Sequence, residues 1–154
     1  MVLTEKESGL LKDMKTQEEL CIKKYTKYAQ EAKCPELKSL FESIAQTETE
    51  HLRTVCDMMD GKEPQAPTGA LKANNANCVA CPAVYSNAEN KTNDSFLCKD
   101  MLATEKHASS VYNMSVFEFR YPSARRMLAH IQAEEQQHGE QLFAFMTANG
   151  MYNA

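Results

Sequence analysis

The sequence predicts an all-α chain, a four-helix bundle made of two repeated helical hairpins joined by a long crossover connection. Three observations predict it. Apolar residues recur at helical spacing over most of the chain. No strand-like alternation of useful length interrupts them. The chain also repeats itself at an offset of 87 residues, without a gap. Leu10, Lys12, Asp13 and Met14 match Leu97, Lys99, Asp100 and Met101. Glu18, Tyr25, Glu31 and Pro35 match Glu105, Tyr112, Glu118 and Pro122, and Ile44, Glu48, His51 and Met59 match Ile131, Glu135, His138 and Met146. These are 12 identities over 50 positions. A unit of this length is too long for a solenoid repeat and implies one domain, residues 1–154, of two related halves.

The elements follow in order. Thr4 with Glu7 has the capping-box pattern that starts a helix. Leu10, Leu11, Met14, Cys21, Ile22, Tyr25 and Ala29 form its apolar stripe. Cys34-Pro35 breaks it, and Pro suits the first turn of the next helix. Leu37, Leu40, Phe41, Ile44, Leu52, Val55 and Met59 carry that helix's stripe, and Gly61 ends it. Hairpin 1 thus covers about 4–61. The stretch from 62 to about 93 holds Pro64, Pro67, Gly69, Pro82 and many Asn and Ala residues and reads as the crossover. A loop this long needs a reason, and running the length of a bundle is one. Hairpin 2, about 94–150, repeats the plan. Met101, Leu102, Ala108, Val111, Tyr112 and Val116 precede a turn at Tyr121-Pro122, and Met127, Leu128, Ile131, Leu142, Phe145 and Met146 precede Gly150.

Composition narrows the function. At 154 residues, 43% hydrophobic and 25% charged, the chain suits one globular domain with a sizeable core. A net charge of −4 with interspersed signs gives no sign of a nucleic-acid or acidic-membrane surface. No apolar run approaches the ~18 residues of a membrane span. The N-terminus is charged where a signal peptide would be apolar, which reads as cytoplasmic. Cysteines at 21, 34, 56, 78, 81 and 98 read as reduced thiols in that setting.

Acids interrupt the apolar stripes at fixed places. Glu18 lies four residues after Met14, Glu48 four after Ile44, Glu105 four after Met101 and Glu135 four after Ile131. His51 and His138 follow Glu48 and Glu135 by three, on the same helix face. All six point inward. Four buried carboxylates together are costly and repel one another, and divalent cations remove both objections. Iron or manganese accepts carboxylate and imidazole together. Tyr25 and Tyr112 occupy equivalent inward positions two turns on, as core residues or as hydrogen-bond partners of the ligands. Glu19, Glu50 and Glu134 read as surface charges, with Glu134 the reserve ligand near His138, and His107 and His130 read as surface histidines. Cys78-Val-Ala-Cys81 is an inert pair, a redox dithiol or half of a metal knuckle.

One Glu from each of two helices plus Glu-x-x-His from each of the other two is the ligand set of the di-iron carboxylate bundles. The first hairpin, Glu18–Ala29 with E-T-E-H at Glu48–His51, and the second, E-K-H at Glu105–His107 with E-Q-Q-H at Glu135–His138, resemble a rubrerythrin-type, ferritin-like domain. The resemblance implies two iron ions, with manganese or zinc as substitutes, bridged by Glu48 and Glu135 with Glu18 and Glu105 terminal. It implies a diiron oxidoreductase that reduces peroxide or dioxygen, with ferroxidase activity, an external electron donor such as a rubredoxin-like protein, and a homodimer. Two departures stand out. Ala108 occupies the place of an additional rubrerythrin glutamate, and the chain has one C-x-x-C where full rubrerythrins have two. The six-ligand set is closer to that of bacterioferritin. The resemblance also implies parallel second and third helices, which sets Cys56 and Cys98 ~22 Å apart along the axis, too far to share a metal. A second resemblance, carried by L-L-K-D-M and Y-T-K-Y-A in one half and C-K-D-M-L-A-T-E-K and A-F-M-T-A-N-G-M-Y in the other, is to spore coat F-type proteins. That implies a structural or interaction protein of the spore coat on the same bundle, or a non-cage iron-binding protein.

Overall fold

The computed structural model describes residues 1–68 and 82–152. It is all-α, with α1 Glu5–Glu31, α2 Pro35–Met59, α3 Ala88–Val116 and α4 Pro122–Ala148, and no strand among the described residues. Local chemistry sets the boundaries. Thr4 accepts from the backbone N–H of Glu7, and the Glu7 carboxylate accepts from the backbone N–H of Thr4. Pro35 and Pro122 open α2 and α4, where a missing N–H costs nothing. Gly61 and Gly150 take positive φ beyond the ends of α2 and α4. Gly61 has a second reason to be glycine, because a Cβ there would lie 2.9 Å from the carbonyl oxygen of Met1. α3 starts at Ala88, ahead of the boundary near 94 read from the sequence. The Asn87 side chain caps it, accepting from the backbone N–H of Asn90, so a polar Asn-rich stretch that looks like loop is the first turns of a helix.

α1 packs along α2 and α3 along α4, and the hairpins meet through α1 against α3 and α2 against α4. Tyr25 meets Glu105 while Tyr112 meets Glu18, so α1 and α3 run antiparallel. Glu48 meets His138 and His51 meets Glu135, so α2 and α4 do too. α2 and α3 are therefore parallel, and the chain between them has to travel the bundle's length, ~40 Å for helices of this size.

The core lies in two clusters. One joins Tyr25, Phe41, Ile44, Met101, Leu142 and Phe145 with neighbours. The other joins Met14, Val55, Met58, Tyr112, Leu128 and Ile131 with neighbours. Adding 87 to each of Met14, Val55 and Met58, or subtracting it from Tyr112, Leu128 and Ile131, turns the second set into the first. The duplication is thus an approximate two-fold axis of the fold. Two buried acids at equivalent positions, 7 and 94, mark its ends. Glu7 accepts from the backbone N–H of Arg120 at 2.8 Å, and Asp94 accepts from those of Lys33 and Cys34 at 2.9 Å each. Each acid of one hairpin secures the turn of the other. Among the described residues no helix is long and apolar enough to cross a membrane.

Candidate metal centre

Between the two core clusters lies a polar layer. It contains Glu18 and Glu48 at 0%, Glu135 at 1%, Glu105 at 2%, His51 at 3% and His138 at 5% exposure. Helical spacing puts them there, since each sits one turn from a buried apolar residue of its own stripe. The antiparallel register then brings four helices to one level.

The six residues form two groups that share two members. Glu18, Glu48, His51 and Glu135 make one, and Glu48, Glu105, Glu135 and His138 the other, with ligand atoms within 4.8 Å of one another in each. His51 turns Nδ1 inward, 3.2 Å from Glu48, 3.0 Å from Glu135 and 3.9 Å from Glu18. His138 turns Nδ1 inward too, 3.1 Å from Glu48, 3.6 Å from Glu105 and 3.7 Å from Glu135. The rings stack with centroids 5.9 Å apart.

Many of these atoms have no hydrogen bond. Glu18 Oε2, Glu48 Oε1, Glu105 Oε2, both oxygens of Glu135 and His138 Nδ1 are buried without a partner. The short His138 contacts lack hydrogen-bond geometry. Unpartnered buried polar atoms on this scale are rare in folded proteins and call for an explanation such as an ion. The donor set of four carboxylates and two imidazoles fits two divalent cations, one per group.

The tyrosines complete the layer across the two-fold axis. Tyr25 donates to Glu105 and Tyr112 donates to Glu18, so each hairpin's tyrosine holds the other hairpin's acid. Burial and the adjacent carboxylates hold both phenols far above their ordinary range, so both stay protonated donors.

Electrostatics divides the acids into pairs. Burial, with repulsion from Glu135 and Glu48, holds Glu18 well above the ordinary carboxylate range. Burial, against the opposing contact with His138, pushes Glu105 up to about 8. Burial also opposes ionisation of Glu48 and Glu135, but contacts with both histidines outweigh it and hold both low. Burial disfavours the imidazolium forms, yet the surrounding carboxylates overcome it and hold His51 and His138 well above their ordinary range.

Glu134 is a correction to the sequence reading. It is no simple surface charge, nor does it approach His138 in the way a reserve ligand would. Its carboxylate lies 3.0 Å from His51 Nε2, the outer nitrogen, and 3.4 Å from His130 Nε2. Its side chain is 28% exposed. An acid on the far nitrogen of a ligating histidine fixes the ring and its tautomer. The sequence gives no hint of this, because Glu134 is four residues from His138 on its own helix and serves the histidine of another. His107 is exposed and His130 is half-buried. Cys21, Cys34, Cys56 and Cys98 are free thiols. Burial pushes Cys34 up to about 11 and raises Cys21 and Cys98 further. Cys98 belongs to one core cluster and Cys56 adjoins Val55 of the other, at opposite ends of the bundle. Cys78 and Cys81 lie outside the described residues.

Residues 93–154 match the Coat F domain family. That stretch carries nearly all of α3 and the whole of α4, with Glu105, Tyr112, Glu135 and His138. The second hairpin is Coat F-like. The first, with Glu18, Glu48 and His51, lies outside the match. No curated protein and no solved structure matches the chain.

Proposed function

We propose that the protein is a spore-coat-type four-helix bundle that binds two divalent metal ions, iron in the first place, between its hairpins. Glu18, Glu48, His51 and Glu135 would hold one ion and Glu48, Glu105, Glu135 and His138 the other, with Glu48 and Glu135 common to both. Manganese or zinc would be accepted by the same donors. The observation that carries this reading is the set of unpartnered buried oxygens on all four acids. A bundle that serves only as a building block gains nothing from burying them. The coat assignment rests on the match over 93–154.

A second reading is redox turnover, the reduction of peroxide or dioxygen with electrons from a rubredoxin-like donor. What favours it is the pair of shared acids, Glu48 and Glu135, which would hold two ions next to each other. When bound, iron would supply the electrons and the open positions. The chain's own contribution would be to orient Glu18 and Glu105 through Tyr112 and Tyr25, and to keep bulk water from a layer capped by apolar clusters above and below. The test is anaerobic loading with Fe(II), followed by peroxide, with metal analysis and near-UV absorbance. Two irons per chain support the metal site, and failure to bind them removes it. Oxidation by peroxide favours turnover, whereas binding without oxidation favours a coat component that keeps or stores iron.

A further inference from the structure

The duplication makes the two metal positions equivalent in their ligands, but their surroundings differ. At the His51 position the groove between α2 and α4, about 440 Å³, is lined by charged side chains and by Lys62, Glu63 and Pro64 of the connection. Glu134 lies across its floor, in contact with both His51 and His130. The equivalent of Glu134 in the first half is Thr47, so His138 has no matching acid from α2.

At the other position a groove of about 340 Å³ between α3 and α4 reaches Glu105 and Glu135 directly, lined by Leu102, Lys106, Ser109 and Gly139. Glu105 Oε2 and both Glu135 oxygens are buried and unpartnered beneath it. Small residues leave it open. A Cβ on Gly139 would meet only Leu102 Cδ1, at 3.7 Å. At the two smallest of these positions the first hairpin carries larger groups. Ile22 stands for Ser109 and Leu52 for Gly139, and a Lys15–Glu19 ion pair at 3.7 Å stands for Leu102 and Lys106.

We propose that the α3–α4 groove is a port through which a di- or triatomic ligand reaches the metal position of Glu105 and His138, while at the His51 position Glu134 holds the outer nitrogen of the ring on the groove side. This rests on the two-metal reading above. Its mostly apolar exposed walls suit a small molecule that is weakly hydrated, and the two acids Glu105 and Glu135 lie against it. The ions would therefore differ in exchange chemistry although their protein ligands are alike.

Two measurements test the port, one of them independent of metal. Metal-free crystals under xenon pressure should show xenon between Leu102, Ser109 and Gly139 in the wild type and none in Gly139→Leu. In the iron-loaded, oxidised protein, azide followed by its charge-transfer absorption should bind at least ten-fold more weakly to Gly139→Leu and to Ser109→Ile. Ile22→Val, on the other hairpin, should leave azide binding unchanged. Circular dichroism and metal content establish that each variant is folded and loaded, and either of the first two suffices if the other does not fold. Absence of xenon from the wild-type groove overturns the port, as does azide binding that neither substitution weakens. If the chain takes up no metal, the two-metal reading fails by itself, and xenon alone upholds or overturns the port.

Discussion

At the residue scale the four buried acids dominate the behaviour of the metal-free protein. Glu18 is fully buried, receives one hydrogen bond, from Tyr112, and leaves Oε2 unpartnered. Gln at this position keeps an acceptor for Tyr112 and removes the ionisable group. In the presence of a chelator, Glu18→Gln should therefore be more stable than the wild type, by on the order of 1–3 kcal/mol, because its neutral amide can donate to the neighbouring Glu48 carboxylate where Glu18 leaves an oxygen unsatisfied. Calorimetry would show this as a higher Tm. The same variant should lose most of the rise in Tm that added metal gives the wild type, since ligands stabilise only what binds them. A wild type that outlasts the variant in chelator would mean that protein contacts alone satisfy Glu18. The positions of the buried acids were legible in the sequence because a carboxylate on an apolar stripe violates the helical pattern at an identifiable place. Glu134 was not, because its partner is His51 on another helix and only the three-dimensional register brings them together.

At the element scale the hairpins are fastened by acids near their helix starts. Glu7 is wholly buried and accepts from the backbone of Thr4 and of Arg120, at 2.7 and 2.8 Å. Burial opposes its ionisation, but these N–H groups outweigh burial and lower the carboxyl to about 2. A depressed carboxylate stabilises the fold above its unfolded value, ~4.3, and loses that contribution as pH falls through the folded value. Glu7→Gln should hence be destabilised relative to the wild type at pH 6, and the gap should close between about pH 4.5 and pH 2. Urea midpoints at a series of pH values check this, and a gap constant over that range would contradict the assigned role. The capping box at Thr4 and Glu7 was visible as a local pattern. The reach of Glu7 to Arg120 was not, and neither was Asp94, because the equivalent acids differ in kind and do not count as identities. The start of α3 was hidden for a related reason: Asn90 and Asn93 look like turn residues until Asn87 caps the helix ahead of them.

At the scale of the whole molecule, the 87-residue repeat explains the architecture. Two hairpins related by it pack so that each supplies the tyrosine for the other's acid and the carboxylate that accepts from the backbone N–H groups of the other's turn. The order of helices and the long connection were legible because the apolar stripe stops at Gly61 and resumes only beyond a stretch rich in Pro, Asn and Ala. The asymmetry of the molecule was less apparent. It lies in the positions where the halves differ, with Thr47, Ile22 and Leu52 facing Glu134, Ser109 and Gly139, and a comparison by identity passes over them. The Coat F match covers one half of a structure whose polar layer needs both.

The central claim is that this layer holds two ions. Crystals of the chain loaded with iron and measured at the iron absorption edge test it most directly. The account predicts two anomalous peaks per chain, about 3.5–4 Å apart as in other two-metal sites, one beside Glu18 and His51 and the other beside Glu105 and His138. A layer without peaks, or iron bound only at the surface, would contradict it.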